Sequence, residues 1–259
     1  MSEYVSFSML GSYGRLCNQM FQVAAVSCLA KDRNLQLLLP DESRAEIRKH
    51  FRIPAVDLNQ QNAQFIKYRW NEPGFSHSRE LALIPGNCDI VGYLQSWKYI
   101  TDPEYIRKIF QFEEPLRRVA KEKLPSSNHR VAIHVRRGDY IKLRDTHPPL
   151  SIDYYRAAID IIRQRLGKVE LIAFSDDREW CRKNIAEAEV YEGISNIEDL
   201  CAMSSCEHHI IANSSFSWWG SWLAKSSDQI VIAPKNWFGP SGPKDTQDLL
   251  PEHYEVIDV

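Results

Sequence analysis

Val131-Ala-Ile-His-Val-Arg-Arg-Gly-Asp-Tyr140 is the stretch from which the fold is read. Val131 to Val135 is a short apolar run rich in β-branched residues, the composition of a strand buried on both faces of a parallel sheet. Arg136 and Arg137 follow it at once. A guanidinium keeps its charge and presents a planar fork of donors that matches phosphate oxygens. Two of them at the carboxyl end of a buried strand are costly unless an anion meets them. Gly138 lets the chain turn where a side chain would crowd a ligand. The stretch predicts an α/β fold with a strand-end site suited to a diphosphate leaving group. The competing reading is an ion pair with Asp139 or another carboxylate. Arg137-Gly138-Asp139 also spells an adhesion tripeptide, but that signal needs an exposed loop on a secreted protein, and this one follows a buried strand.

Strand and helix alternate on both sides of this stretch. Downstream, the pattern predicts a helix over Ile152–Leu166, a strand over Val169–Phe174 and a helix over Asp177–Ala186. A helix over Ile197–Ser204, a strand over His209–Ala212, a helix over Ser217–Ala224 and a strand over Ile230–Ala233 follow. Upstream, Val5–Leu10, Leu16–Ala30 and Leu35–Leu39 read as strand, helix and strand with a glycine-marked turn, a βαβ unit. Residues 41–90 carry only weak signals; Cys88–Leu94 suits a strand, and Glu104–Phe110 and Pro115–Leu124 suit helices. Pro125-Ser-Ser-Asn128 is the best linker, dividing the chain into 1–125 and 126–259. Two parallel-sheet halves facing across a cleft are expected.

Bulk composition narrows the function. A chain of 259 residues, 44% hydrophobic, can bury one large core or two smaller ones. A net charge of -2 gives no basic field for nucleic acid. The six cysteines lack framework spacing and read as free thiols of a reducing compartment. The start, Met1-Ser-Glu-Tyr4, has no signal-peptide pattern, and no apolar run nears the roughly 20 residues of a membrane span. The expectation is a cytoplasmic protein with no integral membrane segment, peripheral contact with an inner membrane being left open.

Four predicted strand or strand–helix junctions carry polar groups: Gly11 to Asn18, His134 to Asp139, Ser175-Asp176-Asp177, and Asn213-Ser214-Ser215. Ligands of open parallel sheets sit at such ends. In Asn213-Ser-Ser-Phe-Ser-Trp-Trp219, hydroxyls and N–H groups at a helix start suit an anion, with Ser214 and Ser215 as contacts. Plain capping by Ser215 or Ser217 is the alternative, and the tryptophans read as core. Asp176 and Asp177 are adjacent and diverge, so a capping aspartate and a base- or ribose-contacting one are favoured over a metal pair. Cys201, Cys206, His208 and His209 lack the second pair a zinc site wants. Gly11 and Gly14 lie outside dinucleotide spacing but place Arg15, Asn18 and Gln19 on the first helical turn, as ligand contacts or as surface polar residues with a cap.

Taken together these blocks resemble the α-1,2-fucosyltransferases, glycosyltransferase family 11. The resemblance rests on Gly14-Arg-Leu-Cys-Asn-Gln19, His134-Val-Arg-Arg-Gly-Asp-Tyr140, Phe174-Ser-Asp-Asp177 and Asn213-Ser-Ser-Phe-Ser-Trp-Trp219, in the family's order. Cys17 departs from it, standing where glycine is usual. The resemblance implies a GT-B fold of two Rossmann-like domains: 1–125 on the acceptor side, 126–259 binding the GDP-sugar. It implies GDP-β-L-fucose as donor, a β-galactoside as acceptor, inversion at the anomeric carbon, no metal and no cofactor. Arg137 is then expected to neutralise the departing diphosphate, with Arg136, Ser214 and Ser215 beside it. Asp199 is expected at guanine and Asn18 at the reacting sugar. His134, Arg15, Asp176, Asn213 and Phe216 are expected to bind substrate. Asp139 is the leading proton acceptor, with Asp145 and His147 as rivals.

Overall fold

The computed structural model describes residues 3–127 and 129–259. Met1 and Ser2 of the chain start, and Asn128 of the expected linker, lie outside the described residues. The chain divides into two compact units, Met1–Gln111 with Pro243–Pro251, and Phe112–Gly242 with Glu252–Val259.

The first unit runs β1 (Tyr4–Ser6), α1 (Leu16–Asp32), β2 (Gln36–Leu39), β3 (Val56–Asp57), α2 (Gln60–Ala63), β4 (Tyr68–Asn71), β5 (Cys88–Val91) and α3 (Pro103–Ile109). Its strands form one sheet in the order β3-β2-β1-β5-β4, and every pairing is parallel. Helix α1 is apolar nearly all round and is buried from Leu16 to Ala30 except at Asn18, the pattern of a core helix rather than a surface one. It ends where Asn34 takes a left-handed φ of 52° and Leu35 N–H closes on Ala30 O at 2.8 Å. Strand β1 stops at Ser6, four residues short of the expected Leu10, because Asp89 on β5 captures the chain there. Its carboxylate accepts from Ser6 Oγ (2.5 Å), Ser8 N (2.8 Å) and Ser8 Oγ (2.7 Å), so the backbone leaves the ladder and turns.

The second unit runs α4 (Glu114–Glu122), β6 (Arg130–Val135), α5 (Ile152–Leu166), β7 (Glu170–Ser175), α6 (Arg178–Asn184), β8 (Glu189–Val190), α7 (Asn196–Met203), β9 (His208–Ile210), α8 (Ser215–Leu223), β10 (Val231–Pro234) and β11 (Glu255–Ile257). The sheet order is β11-β10-β9-β6-β7-β8, again all parallel. Val131, Ile133 and Val135 alternate onto the face covered by α5, where Tyr155, Ala158, Ile159 and Ile162 meet them in one core. Ala132 and His134 therefore point to the other face. Helix α4 belongs to this unit and not to the residues before it. Tyr191 OH donates to Ala120 O (3.5 Å), and Lys123 pairs at 2.5 Å with the buried Glu198 of α7. The units accordingly part at 111/112, ahead of Pro125, and 243–251 returns to the first unit.

Strand order reverses once in each sheet: between β1 and β5 in the first, between β6 and β9 in the second. Open parallel sheets bind ligands at the carboxyl ends flanking such points.

Candidate functional site

In the second unit both strands at the reversal end in the blocks singled out from sequence. Arg136 and Arg137 follow β6, and Asn213 and Ser214 lie between β9 and α8. Tyr140 joins them, its hydroxyl donating to Asn213 O at 3.0 Å. Burial pushes that phenol up to about 12, so it stays a donor.

Both guanidinium groups are met by carboxylates. Arg136 pairs with Asp139 (2.6 Å) and Asp176 (2.9 Å) and lies over the Tyr140 ring, 5.3 Å from its centroid. Arg137 Nε donates to Asp177 at 3.1 Å, and its guanidinium sits 4.6 Å from the Trp180 centroid. Its backbone N–H donates to Asp176 Oδ1 at 2.9 Å. Asp177 also caps α6 through Trp180 N at 3.1 Å, so the adjacent aspartates do diverge. The ion-pair reading of the arginines thus holds in this arrangement. Of these contacts Arg136–Asp139 is the easiest to exchange: the Asp139 side chain is 42% exposed, and such surface pairs contribute about 0–1 kcal/mol.

Around this edge the remaining residues divide into supports and open contacts. His134 is buried against Phe216, ring centroids 5.3 Å apart; burial, then Arg136, pulls its pKa down to about 3. It is a neutral prop beneath the start of α8. Asn213 is buried and donates from Nδ2 to Pro148 O and Trp237 O, both at 3.0 Å, fixing two neighbouring loops, while its Oδ1 has no partner among the described residues. The cap of α8 is Ser214, whose Oγ accepts from Phe216 N at 3.3 Å. Neither Ser215 nor Ser217 serves, because the helix begins two residues earlier than its apolar pattern implied. Ser215 occupies the first helical position, half-buried, and Ser217 turns its hydroxyl to Ala212 O and Ser214 O. Trp218 and Trp219 are core.

Asp199, on the first turn of α7, also carries an unmatched polar atom, as do His134 at Nδ1 and Asn213 at Oδ1 among the described residues. The Asp199 Oδ1 is buried with no hydrogen-bond partner among the described residues, and desolvation pushes its pKa up to about 6. Gly193 backs directly onto it, so any Cβ there would strike the carboxylate. A carboxylate with an unspent acceptor suits a donor-rich ligand edge.

The first unit brings its predicted residues to the reversal between β1 and β5. Gly14 takes a φ of 82°, and a side chain there would collide with Asn18. Arg15 precedes α1, exposed. Asn18 Oδ1 accepts from Gln95 Nε2 at 2.9 Å. Gln19 is structural, its Oε1 accepting from Ile47 N at 3.1 Å. Cys17 is buried, and all six cysteines are buried and unbridged.

Several residues here escaped the sequence reading. Asp89 has a visible signal, a carboxylate within the apolar Cys88–Val91. Glu72, Tyr93 and Gln95 have none. Glu72 Oε2 accepts from Tyr93 N (2.9 Å) and Leu94 N (3.0 Å), backbone groups some twenty residues on. Burial pushes this carboxyl up to about 7, and its Oε1 has no partner among the described residues. The clamp holds Leu94 at a left-handed φ of 53°, a strain of about 1–3 kcal/mol for a residue with a Cβ.

Among the described residues no group of three or more His, Cys, Asp or Glu side chains could hold a metal ion. No described helix is long and apolar enough to cross a membrane.

A family model described as Glycosyl transferase family 11 matches residues 8–252. The O-antigen biosynthesis glycosyltransferase WbnK of Escherichia coli is 34% identical over 63% of this chain, a match that spans 59% of that protein's length. The alpha-1,2-colitosyltransferase of Escherichia coli is 29% identical over 87% of this chain and 90% of its own. The galactoside alpha-(1,2)-fucosyltransferase 1 of Bos taurus is 28% identical over 85% and 67%. Among solved structures, POFUT1 in complex with GDP-fucose superposes with a TM-score of 0.58 at 13% identity, covering 89% of this chain and 98% of that one. Fucosyltransferase NodZ from Bradyrhizobium gives 0.55 at 10%, covering 88% and 96%. At such identities the likeness speaks for the fold alone, which is α/β of the GT-B type.

Proposed function

This chain belongs to glycosyl transferase family 11, and on that premise we propose that it moves L-fucose from GDP-β-L-fucose to the 2-OH of a β-galactoside, with inversion and without metal or cofactor. The observation that carries this reading is that Arg136 and Arg137, following β6, and the Ser214-capped start of α8, following β9, flank the point where the second unit's strand order reverses. The second unit then holds the donor and the first the acceptor. We assign the reaction to the cytoplasm.

As the bond between fucose C1 and the diphosphate oxygen lengthens, negative charge collects on GDP. Without a metal, fixed donors must meet that charge. Arg137 supplies one fork. Arg136 supplies the second by exchanging Asp139 for phosphate oxygens, a cheap exchange at an exposed pair. The N–H groups and hydroxyls of Ser214 and Ser215 add the positive end of α8, and Phe216, propped by His134, walls the seat. The unspent Asp199 acceptor receives the guanine N–H donors, and Asp176 faces the ribose. Asn18 and Arg15 face the transferred sugar. The acceptor oxygen attacks C1 from the face opposite GDP while its hydroxyl proton passes to a base. Asp139, released from Arg136, is our first choice, with Asp145 and His147 as rivals.

One competing donor has an observation in its favour. The relative named as an alpha-1,2-colitosyltransferase spans nearly the whole of both chains, so a colitosyl donor is the second reading. Incubating the protein in parallel with GDP-fucose and with a colitosyl nucleotide donor, each against a panel of β-galactosides with EDTA present, and weighing products by mass spectrometry tests both. A fucosylated product formed in EDTA supports the first. Product only from a colitosyl donor selects the second, and none from either removes both.

A further inference from the structure

Three aromatic side chains from three separate loops converge at the carboxyl edge of the first unit's sheet. Tyr13 comes from the β1–α1 loop, Phe75 from the segment after β4 and Tyr93 from the segment after β5. Tyr13 and Tyr93 meet edge to face with centroids 5.6 Å apart, and Phe75 and Tyr93 are 6.2 Å apart. Tyr93 is 39% exposed, so part of its ring is open to a ligand. The Asn18–Gln95 amide pair lies on the same loops, with Gln95 buried.

Each ring stands on a loop held by a separate polar clamp. Glu72 Oε2 takes Tyr93 N and Leu94 N; Leu94, strained into the left-handed region, is the residue that turns Tyr93 outward while Gln95 turns inward. Asp245, from the returning segment, accepts from Phe75 N (2.6 Å) and Ser76 N (3.2 Å). Gln22 Nε2 donates to Tyr13 O at 2.9 Å. The Glu72 Oε1 atom, buried and unpartnered among the described residues, is a polar group the fold leaves unexplained. Backbone strain and polar clamps converging beneath one exposed and two half-buried rings are the marks of a binding surface held ready in advance.

We propose that Tyr13, Phe75 and Tyr93, with Asn18 and Gln95, form a hexopyranoside subsite that seats the acceptor sugar, Glu72 acting as the positioning residue for the turn that presents Tyr93. The rings offer flat apolar area, matching a sugar's C–H face. The two amides offer both donors and acceptors, as hydroxyl groups require, and neither brings a charge that would select for phosphate. The location fits the general preference of parallel sheets for ligands at a strand-order reversal. This subsite rests on the sugar-transfer reading above for the identity of its occupant.

The test uses the full chain with lactose and methyl β-galactoside as probes, read by saturation-transfer NMR, and GDP titrated by calorimetry. Galactoside binding should weaken about tenfold or more in Tyr93→Ala and in Tyr13→Ala, with GDP affinity and melting temperature kept and Tyr93→Phe close to wild type. In the transfer assay Tyr93→Ala should raise the acceptor KM while kcat at saturation changes little. Hydrogen exchange on the wild type supplies a readout free of substitutions: galactoside should slow the amides of residues 92–95. Unchanged galactoside affinity in both alanine variants overturns the proposal, as does a wild type that binds neither probe or shows no slowing at 92–95. A wild type that binds galactoside through Tyr93 yet transfers no sugar sinks the transfer reading and leaves this subsite standing. Transfer with an unmoved KM in Tyr93→Ala does the reverse.

Discussion

The two strand-order reversals are built from opposite materials. At the second unit's reversal the chemistry is charged and local in sequence: Arg136, Arg137, Asp139 and Tyr140 lie within five residues, and Asp176 and Asp177 answer them from the next strand. At the first unit's reversal it is largely aromatic and amide, assembled from residues 13, 18, 75, 93 and 95, beside Arg15 of the same β1–α1 loop and with Glu72 and Asp245 holding the loops. A leaving diphosphate needs fixed charge at one point, which a strand end supplies with two adjacent residues. A sugar face needs area and shape, which a parallel sheet supplies only by bringing several loops together.

That contrast is sharpest in catalysis. Arg137→Ala should lower kcat by about a hundred- to a thousandfold, about 3–4 kcal/mol of barrier, with the acceptor KM little changed; Arg137→Lys should recover little of it, because a point charge does not reproduce the fork. Steady-state kinetics on GDP-fucose would check this. Equal losses in kcat from Arg137→Ala and Tyr93→Ala would erase the distinction drawn between the two edges. Next in size, Asp199→Asn should cost about 1–3 kcal/mol in GDP affinity and narrow the preference for GDP over other nucleoside diphosphates, measured by calorimetry. An unchanged preference would move guanine recognition elsewhere.

Two pH effects probe the supports. The pKa of His134 is held near 3 against an ordinary 6.5. The unfolded chain therefore binds more protons than the native one between those values, and stability falls as pH drops below about 6.5. His134→Phe should remove about 2 kcal/mol of that loss at pH 5, seen as a flatter acid limb in thermal melts. Glu72 runs the other way. Its pKa is raised from 4.5 to about 7, so its contribution is fullest below pH 4.5 and is lost as pH rises through 7. Glu72→Gln should gain about 1–3 kcal/mol on wild type between pH 4 and pH 8. A pH-independent difference would mean that the clamp does not sense ionisation.

The contrast also explains what was legible in the sequence. Ile152–Leu166 is read to the residue, because Ser151 caps it at Tyr154 N and Gly167 stops it at a φ of 71°. Strands β6, β7 and β10 fall within a residue or two of expectation because buried parallel strands announce themselves as apolar runs. Strands β3, β4, β8 and β11 carry no sequence signal: β3 and β8 have two residues each, β11 has three, and Tyr68–Asn71 is largely exposed, so none of the four has an apolar period to detect. The guanidinium pair was legible because charge beside an apolar run is conspicuous. The carboxylates that hold it were left open, since Asp176 and Asp177 lie some forty residues away. His134 and Asn213 read as ligand contacts in a motif; that they also hold neighbouring groups in position is revealed only by packing.

The return of 243–251 to the first unit has a consequence for biosynthesis. As the ribosome delivers the chain from its amino end, the loop bearing Phe75 is made nearly 170 residues before Asp245 arrives to fasten it. Residues 252–259 then pass back to pair β11 with β10. Neither half can be released by a single cut, and the early half waits for the late one before its last loop is secured. A nascent polypeptide arrested before residue 243 should therefore leave residues 74–77 open to protease, and release of the finished polypeptide should close them.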